Sequence, residues 1–123
     1  MDSGPLRHGT QRQRSGQAGE QRAFDYLTAR GLAPVTRNYR VKTGEIDLIL
    51  RDGATLVFVE VRCRAFGAFG GAAASVTQRK RLRIQRAAQA FLLAHFGPGR
   101  WPAVRFDVVA IEAGALDWIR AAF

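Results

Sequence analysis

The spacing of apolar residues along the chain predicts six elements. From Gly16, the positions Glu20, Ala23, Phe24 and Leu27 fall at i, i+3, i+4 and i+7, the period of one helical face, and Gly31 stands where that helix would end. Residues 35–40 follow Pro34 and read as a strand, with a turn over residues 38–43. The stretch GEIDLILRDGATLVFVEVRCR, residues 44–64, then alternates on both sides of Asp52-Gly53 and reads as a hairpin. After a glycine-rich loop, residues 65–75 with Phe66 and Phe69, a second helix begins at Val76 and runs to about His95. Val76, Lys80, Ile84, Ala87, Ala88 and Phe91 share its inner face, and Gly97-Pro98-Gly99 stops it. Residues 103–111 alternate as a last strand, followed by a short apolar tail with Leu116, Trp118, Ile119 and Phe123. The predicted class is α/β, in the order α-β-β-β-α-β.

Residues 1–15 are polar, arginine-containing and aperiodic, which predicts a loose basic tail ahead of one domain over residues 16–123. The 123-residue chain carries 19 Lys and Arg against 10 Asp and Glu, a formal charge of +9. Arginine supplies most of that charge, and guanidinium groups suit bidentate phosphate contacts, so nucleic acid is the expected partner. Charge alone does not tell DNA from RNA. Cys63 is the single cysteine, which excludes an internal disulfide and a multi-cysteine zinc site. No window approaches the roughly 18 apolar residues of a membrane helix, and the N-terminal residues lack the apolar region of a signal peptide. The expectation is a cytoplasmic protein with no membrane partner.

Against this basic background, three acids in the predicted hairpin demand an explanation. Side chains alternate along a strand, so Glu45 and Asp47 share one face of its first arm, while Phe58, Glu60 and Arg62 share one face of the second. A two-residue turn at Asp52-Gly53 sets Asp47 opposite Phe58 and Glu45 opposite Glu60, leaving Asp47 and Glu60 diagonal neighbours. A four-residue loop shifts the register by two and sets Asp47 directly against Glu60. The other face, Ile46, Leu48, Leu50, Val57, Val59 and Val61, is aliphatic throughout and must pack on something. Two ionised carboxylates about 4 Å apart repel by roughly 4 kcal/mol at an effective dielectric near 20. Protonation of one, pairing of Glu60 with Arg62, or a divalent cation each relieves that repulsion. Mg²⁺ takes hard oxygen ligands, commonly one or two carboxylates with waters and substrate phosphates. Arg62, on the face of Glu60, would offer charge to a phosphate. Glu20 lies on the inward stripe of the first helix as a further ligand, and Lys80 on that of the second as a phosphate contact. The plainer alternatives are a solvated strand face, an ordinary Glu60 salt bridge, a helix-dipole role for Glu20 and a snorkelling Lys80. Asp107, with Arg105 on the same face of its strand, reads as half of a salt bridge. His8 and His95 suggest no nucleophilic triad.

GEIDLI, FVEVR-x-R, the following FG loop, a helix opening near Lys80, and RFDVVAI with Trp-Ile and Ala-Ala-Phe together resemble the YraN-like family of predicted endonucleases. The resemblance covers about residues 16–123. It implies the restriction-endonuclease-like PD-(D/E)XK fold, a mixed sheet flanked by helices, and a distant similarity to archaeal Holliday junction resolvases. In such nucleases the Asp and Glu of the hairpin bind Mg²⁺ (or Mn²⁺), a first-helix Glu assists, and the motif Lys orients or activates water. Carried over, Asp47 is similar to the motif Asp, Glu60 to the motif Glu and Glu20 to the helix acid. Arg62 stands where the lysine is usual, and a guanidinium cannot give up its proton. The water then needs no such base, Lys80 substitutes from the second helix, or the site is impaired. The implied activity is endonucleolytic hydrolysis of DNA, with branched DNA and a homodimer implied by analogy with the resolvases. The alternative is a non-catalytic nucleic-acid-binding protein whose acids are a relic.

Overall fold

The computed structural model describes residues 11–64 and 76–123. Its elements are α1 (Gln11–Ala29), β1 (Ala33–Val41), β2 (Gly44–Asp52), β3 (Thr55–Arg64), α2 (Gln78–Phe96), β4 (Val104–Glu112) and β5 (Ala115–Ile119). The strands form one sheet in the order β1-β2-β3-β4-β5. Only β3 and β4 run parallel, because α2 carries the chain back between them; the other neighbours are antiparallel. This is an α/β fold, a mixed sheet flanked by two helices, compatible with the restriction-endonuclease-like architecture.

Alternation along β3 sorts the core into two halves. Phe58 packs with Ile84, Ala88, Phe91 and Leu92 of α2, while Val57, Val59 and Val61 pack with Ala23 and Leu27 of α1. The helices therefore cover opposite faces, and β3, apolar on both, lies at the centre. Thr77 caps α2 by accepting from the Lys80 N–H at 3.2 Å. At the far end the Gly97 N–H donates to the Leu93 carbonyl at 2.9 Å, with Gly97 in the left-handed region at φ +72°.

Several boundaries differ from those the pattern predicts. Helix α1 starts at Gln11, taking in the end of the stretch expected as a tail; residues 1–10, with His8, and residues 65–75, with Phe66 and Phe69, lie outside the described residues. Strand β1 includes Pro34, which an edge strand tolerates, and its turn to β2 shrinks to Lys42-Thr43 because Val41 pairs with Gly44. The apolar tail is a fifth strand rather than an appendage. Ala113 and Gly114, both with positive φ, turn the chain so that Glu112 pairs with Ala115.

The central hairpin also turns one residue later than the Asp-Gly signal suggests. Asp52 pairs with Thr55, leaving Gly53-Ala54 as the turn, and of those two only Gly53 has a positive φ, at +62°. That is the type II′ arrangement, with glycine first. The register moves by two: Ile49 faces Phe58 and Leu48 faces Val59. Continued one step past the last pair, Leu48 with Val59, that register brings Asp47 level with Glu60, and the diagonal arrangement is corrected.

Candidate active site

The site is made where the sheet opens. The ladder between β2 and β3 ends at Leu48 and Val59, yet β2 continues along β1 to Gly44 and β3 continues along β4 to Arg64. Alternation breaks at this point: Ile46 joins Ile49 on the α2 side, whereas Leu48 and Leu50 lie on the α1 side. The expectation of one unbroken aliphatic face is thus corrected at Ile46. Asn38, between the Arg37–Leu48 and Tyr39–Ile46 pairs, takes a left-handed φ of 52° at the same level, a conformation asparagine tolerates better than most residues. Asp47 fills the resulting gap. Its Oδ2 accepts from the Val61 N–H at 2.8 Å, replacing a ladder bond the departing strand no longer supplies.

Glu60, nine-tenths buried, lies close enough to Asp47 for each carboxyl to act on the other's proton. Burial first, then the neighbouring Asp47 charge, pushes the Glu60 carboxyl up to about 8, against the pull of Arg62 and Lys80. Burial also raises Asp47, opposed by the Val61 N–H, Glu60 and Arg62. The pair thus holds a proton well above the usual carboxylate range. Arg62 Nη1 lies 3.5 Å from Glu60 Oε2, so the ion pair considered as a plain alternative is present within the cluster.

Both helices reach this opening. Glu20 on α1 is raised by burial and by the Asp47 charge, while Arg37 and Arg40 of β1 pull it down. From α2, half-buried Lys80 acts through its charge on Glu60 and on Glu45. Glu45 itself turns to α2: Arg83 Nη2 and Nε hold its carboxylate at 2.7 and 3.3 Å and lower its pKa. Asp47, Glu60 and Arg62 therefore meet at the opening, the charges of Glu20 and Lys80 act there from the two helices, and Glu45 is drawn aside as a clamp. Asp107 also lies elsewhere, fully buried and satisfied by Arg105, the Trp118 indole and the Ala121 N–H at 2.9–3.0 Å.

Among the described residues, no three His, Cys, Asp or Glu side chains are grouped to hold a metal ion. The acids act instead as a buried pair, Asp47 and Glu60, with Glu20 feeling the Asp47 charge from α1. That pair fits a hard divalent cation: it offers two converging carboxylates whose shared proton marks repulsion that an ion would relieve. Sequence spacing missed two neighbours. Cys63 is exposed and faces Gly19 so closely that a Cβ there would lie 2.2 Å from its Sγ. Arg22 extends from α1 to the Gly114 carbonyl at 2.5 Å, a contact across 92 positions that no local pattern encodes.

Residues 19–111, which include the acids and both basic residues, match the model of the family described as Uncharacterised protein family UPF0102. The chain belongs to the UPF0102 (YraN) family. The UPF0102 protein of Ralstonia nicotianae is 57% identical over 113 residues, covering 89% of this chain and 85% of its own length. The UPF0102 protein of Bordetella petrii is 56% identical over 115 residues, 90% of this chain and 70% of its own. That of Aeromonas hydrophila is 55% identical over 108 residues, 88% and 83% respectively. The UPF0102 match stops before β5, so the edge strand carrying Trp118 lies beyond the matched segment. Among the described residues no helix is long and apolar enough to cross a membrane.

Proposed function

We propose that the protein is a metal-dependent endodeoxyribonuclease that hydrolyses phosphodiester bonds at the opening between β2 and β3. The observation that carries this reading is the buried Asp47–Glu60 pair, set face to face where the sheet splits and flanked by Arg62 and Lys80. Buried like charges are costly without compensation, and a fold that keeps them together points to a bound cation as their partner. Asp47 and Glu60 would hold Mg²⁺ (or Mn²⁺), which when bound supplies charge to a phosphoryl oxygen and lowers the pKa of water. Glu20, whose carboxyl feels the Asp47 charge, supports the pair from α1. Arg62 steadies the negative charge that grows on the phosphate as the phosphorus–oxygen bond breaks. Lys80 adds an amine on the Glu60 side, able to orient water where the guanidinium at 62 cannot give up a proton.

One feature favours a second reading, a non-catalytic DNA-binding protein: Arg62 occupies the position of the amine and pairs with Glu60. The two separate on incubation of the full chain with labelled linear duplex, single-stranded and four-way DNA in Mg²⁺, Mn²⁺ or EDTA. Metal-dependent nicking, lost in Asp47→Ala and Glu60→Ala, is the outcome expected of the nuclease. Binding without nicking, indifferent to metal and to both substitutions, would establish the second reading. Branched DNA and a homodimer remain proposals by analogy with resolvases, and comparison of the four-way and linear substrates tests the first.

A further inference from the structure

Beside the carboxylate pair, between α1 and the ends of β3 and β4, lies a cavity of about 430 Å³. That is within the ~300–1,000 Å³ of sites that take small molecules or single groups. Its floor is small and apolar, formed by Ala18, Gly19 and Ile111, and two guanidinium-bearing residues, Arg22 and Arg64, line it. Arg22 is fixed by the Gly114 carbonyl at 2.5 Å, which uses one of its five donors and leaves the others for a ligand. None of the acids lines the cavity, but its wall adjoins them. Gly19 precedes Glu20, Cys63 follows Arg62, and the Cys63 thiol on the cavity wall is raised by burial and by the charges of Asp47 and Glu20. A side chain at position 19 would collide with that thiol, so glycine keeps α1 close to the β3 end.

An apolar floor edged by guanidinium groups suits a ligand with an apolar part and an anionic part, and a base attached to a phosphate is such a unit. We propose that the cavity receives an unpaired nucleotide of the DNA strand, its base on the Ala18–Gly19–Ile111 floor and its phosphate on Arg22 and Arg64. The proposal rests on the nuclease reading for its neighbour, the scissile phosphate, and adds a substrate class. A base locked in a duplex must first unstack, at a cost of about a few kcal/mol, to enter such a cavity. DNA that is already single-stranded beside the site avoids that cost and is selected.

The test is equilibrium binding in EDTA, by fluorescence anisotropy, of a short flush duplex and of the same duplex with a single-stranded extension. The wild-type chain is expected to bind the extended DNA at least about tenfold more tightly, the worth of one stacked or buried base. Ala18→Leu keeps a good helix former at an exposed position of α1 but fills the floor. It should abolish the preference while leaving flush-duplex affinity within about twofold. Arg22→Gln should abolish it too and flatten the salt dependence on extended DNA by about one phosphate contact. Equal affinities in the wild type, or a preference intact in both variants, would overturn the proposal. Because the chelator removes hydrolysis, failure to cut DNA elsewhere does not bear on this result. Conversely, an enzyme that nicks with Mg²⁺ yet shows no preference sinks the cavity alone.

Discussion

Glu60 holds its proton at pH values where an ordinary carboxylate has lost it, and that fixes the sign of a stability change. In the unfolded chain the group ionises near 4.5, and in the fold near 8. Between those values the folded state binds the extra proton, so stability is fullest below 4.5 and falls as pH rises toward 8. Glu60→Gln imitates the protonated acid and removes the dependence. Urea unfolding should show the variant gaining on the wild type as pH rises from 5 to 8, by on the order of a few kcal/mol at the upper end. A wild-type stability that rises over this range would contradict the buried-pair assignment. Arg62 carries a second prediction. If the guanidinium stabilises charge but handles no proton, Arg62→Lys restores an amine and should raise Mg²⁺-dependent nicking by at least about tenfold. Lys80→Gln in the same assay should lower it, since Lys80 is the amine nearest Glu60 that the native chain provides.

A close approach between elements holds this site. At the start of β2, a Cβ on Gly44 would lie 1.8 Å from the Arg83 carbonyl of α2, beside the Glu45–Arg83 clamp. Backbone cannot yield there as a flexible side chain would. Gly44→Ala is expected to cost about 1–3 kcal/mol, measured by chemical denaturation, and to weaken metal-dependent nicking by shifting Asp47. The helices, the hairpin and β4 were legible because each has a strong local period: Ala23 and Leu27 on α1, Ile84 to Phe91 on α2, the valines of β3. The face-to-face acids needed more than periodicity. Asp-Gly is the commoner two-residue turn signal, but Gly53-Ala54 won because glycine first suits a type II′ turn, and only that register sets Asp47 against Glu60. Strand β5 was hidden for another reason. Its five residues are mostly half-exposed, and it is secured by distant partners, the Trp118 indole on Asp107 at 2.9 Å and Trp118 edge-on to Tyr26. Such contacts leave no periodic trace.

Across the whole molecule, a +9 charge surrounds the buried acids, and on the proposed reading the two would act on DNA in opposite directions. The arginines would attract phosphate generally, and the affinity expected from them falls steeply with salt, by a factor set by the number of phosphates neutralised. At the opening of the sheet, on the nuclease reading, the Asp47 carboxylate would repel the phosphate to be cut, with Glu60 carrying its proton until an ion displaces it. A divalent cation reverses the local sign, turning a repulsive spot into an attractive one. In EDTA, therefore, the double variant Asp47→Asn with Glu60→Gln should bind duplex DNA more tightly than the wild type, by roughly three- to tenfold for the lost repulsion. In Mg²⁺ at matched ionic strength the order should invert, because only the wild type holds the ion that bridges to phosphate. A DNA-binding protein with relic acids predicts a different pattern: Mg²⁺ weakens both proteins equally by competing for phosphate, and the order seen in EDTA persists. Titrations of both proteins across salt, with and without the cation, read the outcome from binding alone, and the crossing of the two affinity curves is the feature that only a cation held by Asp47 and Glu60 produces.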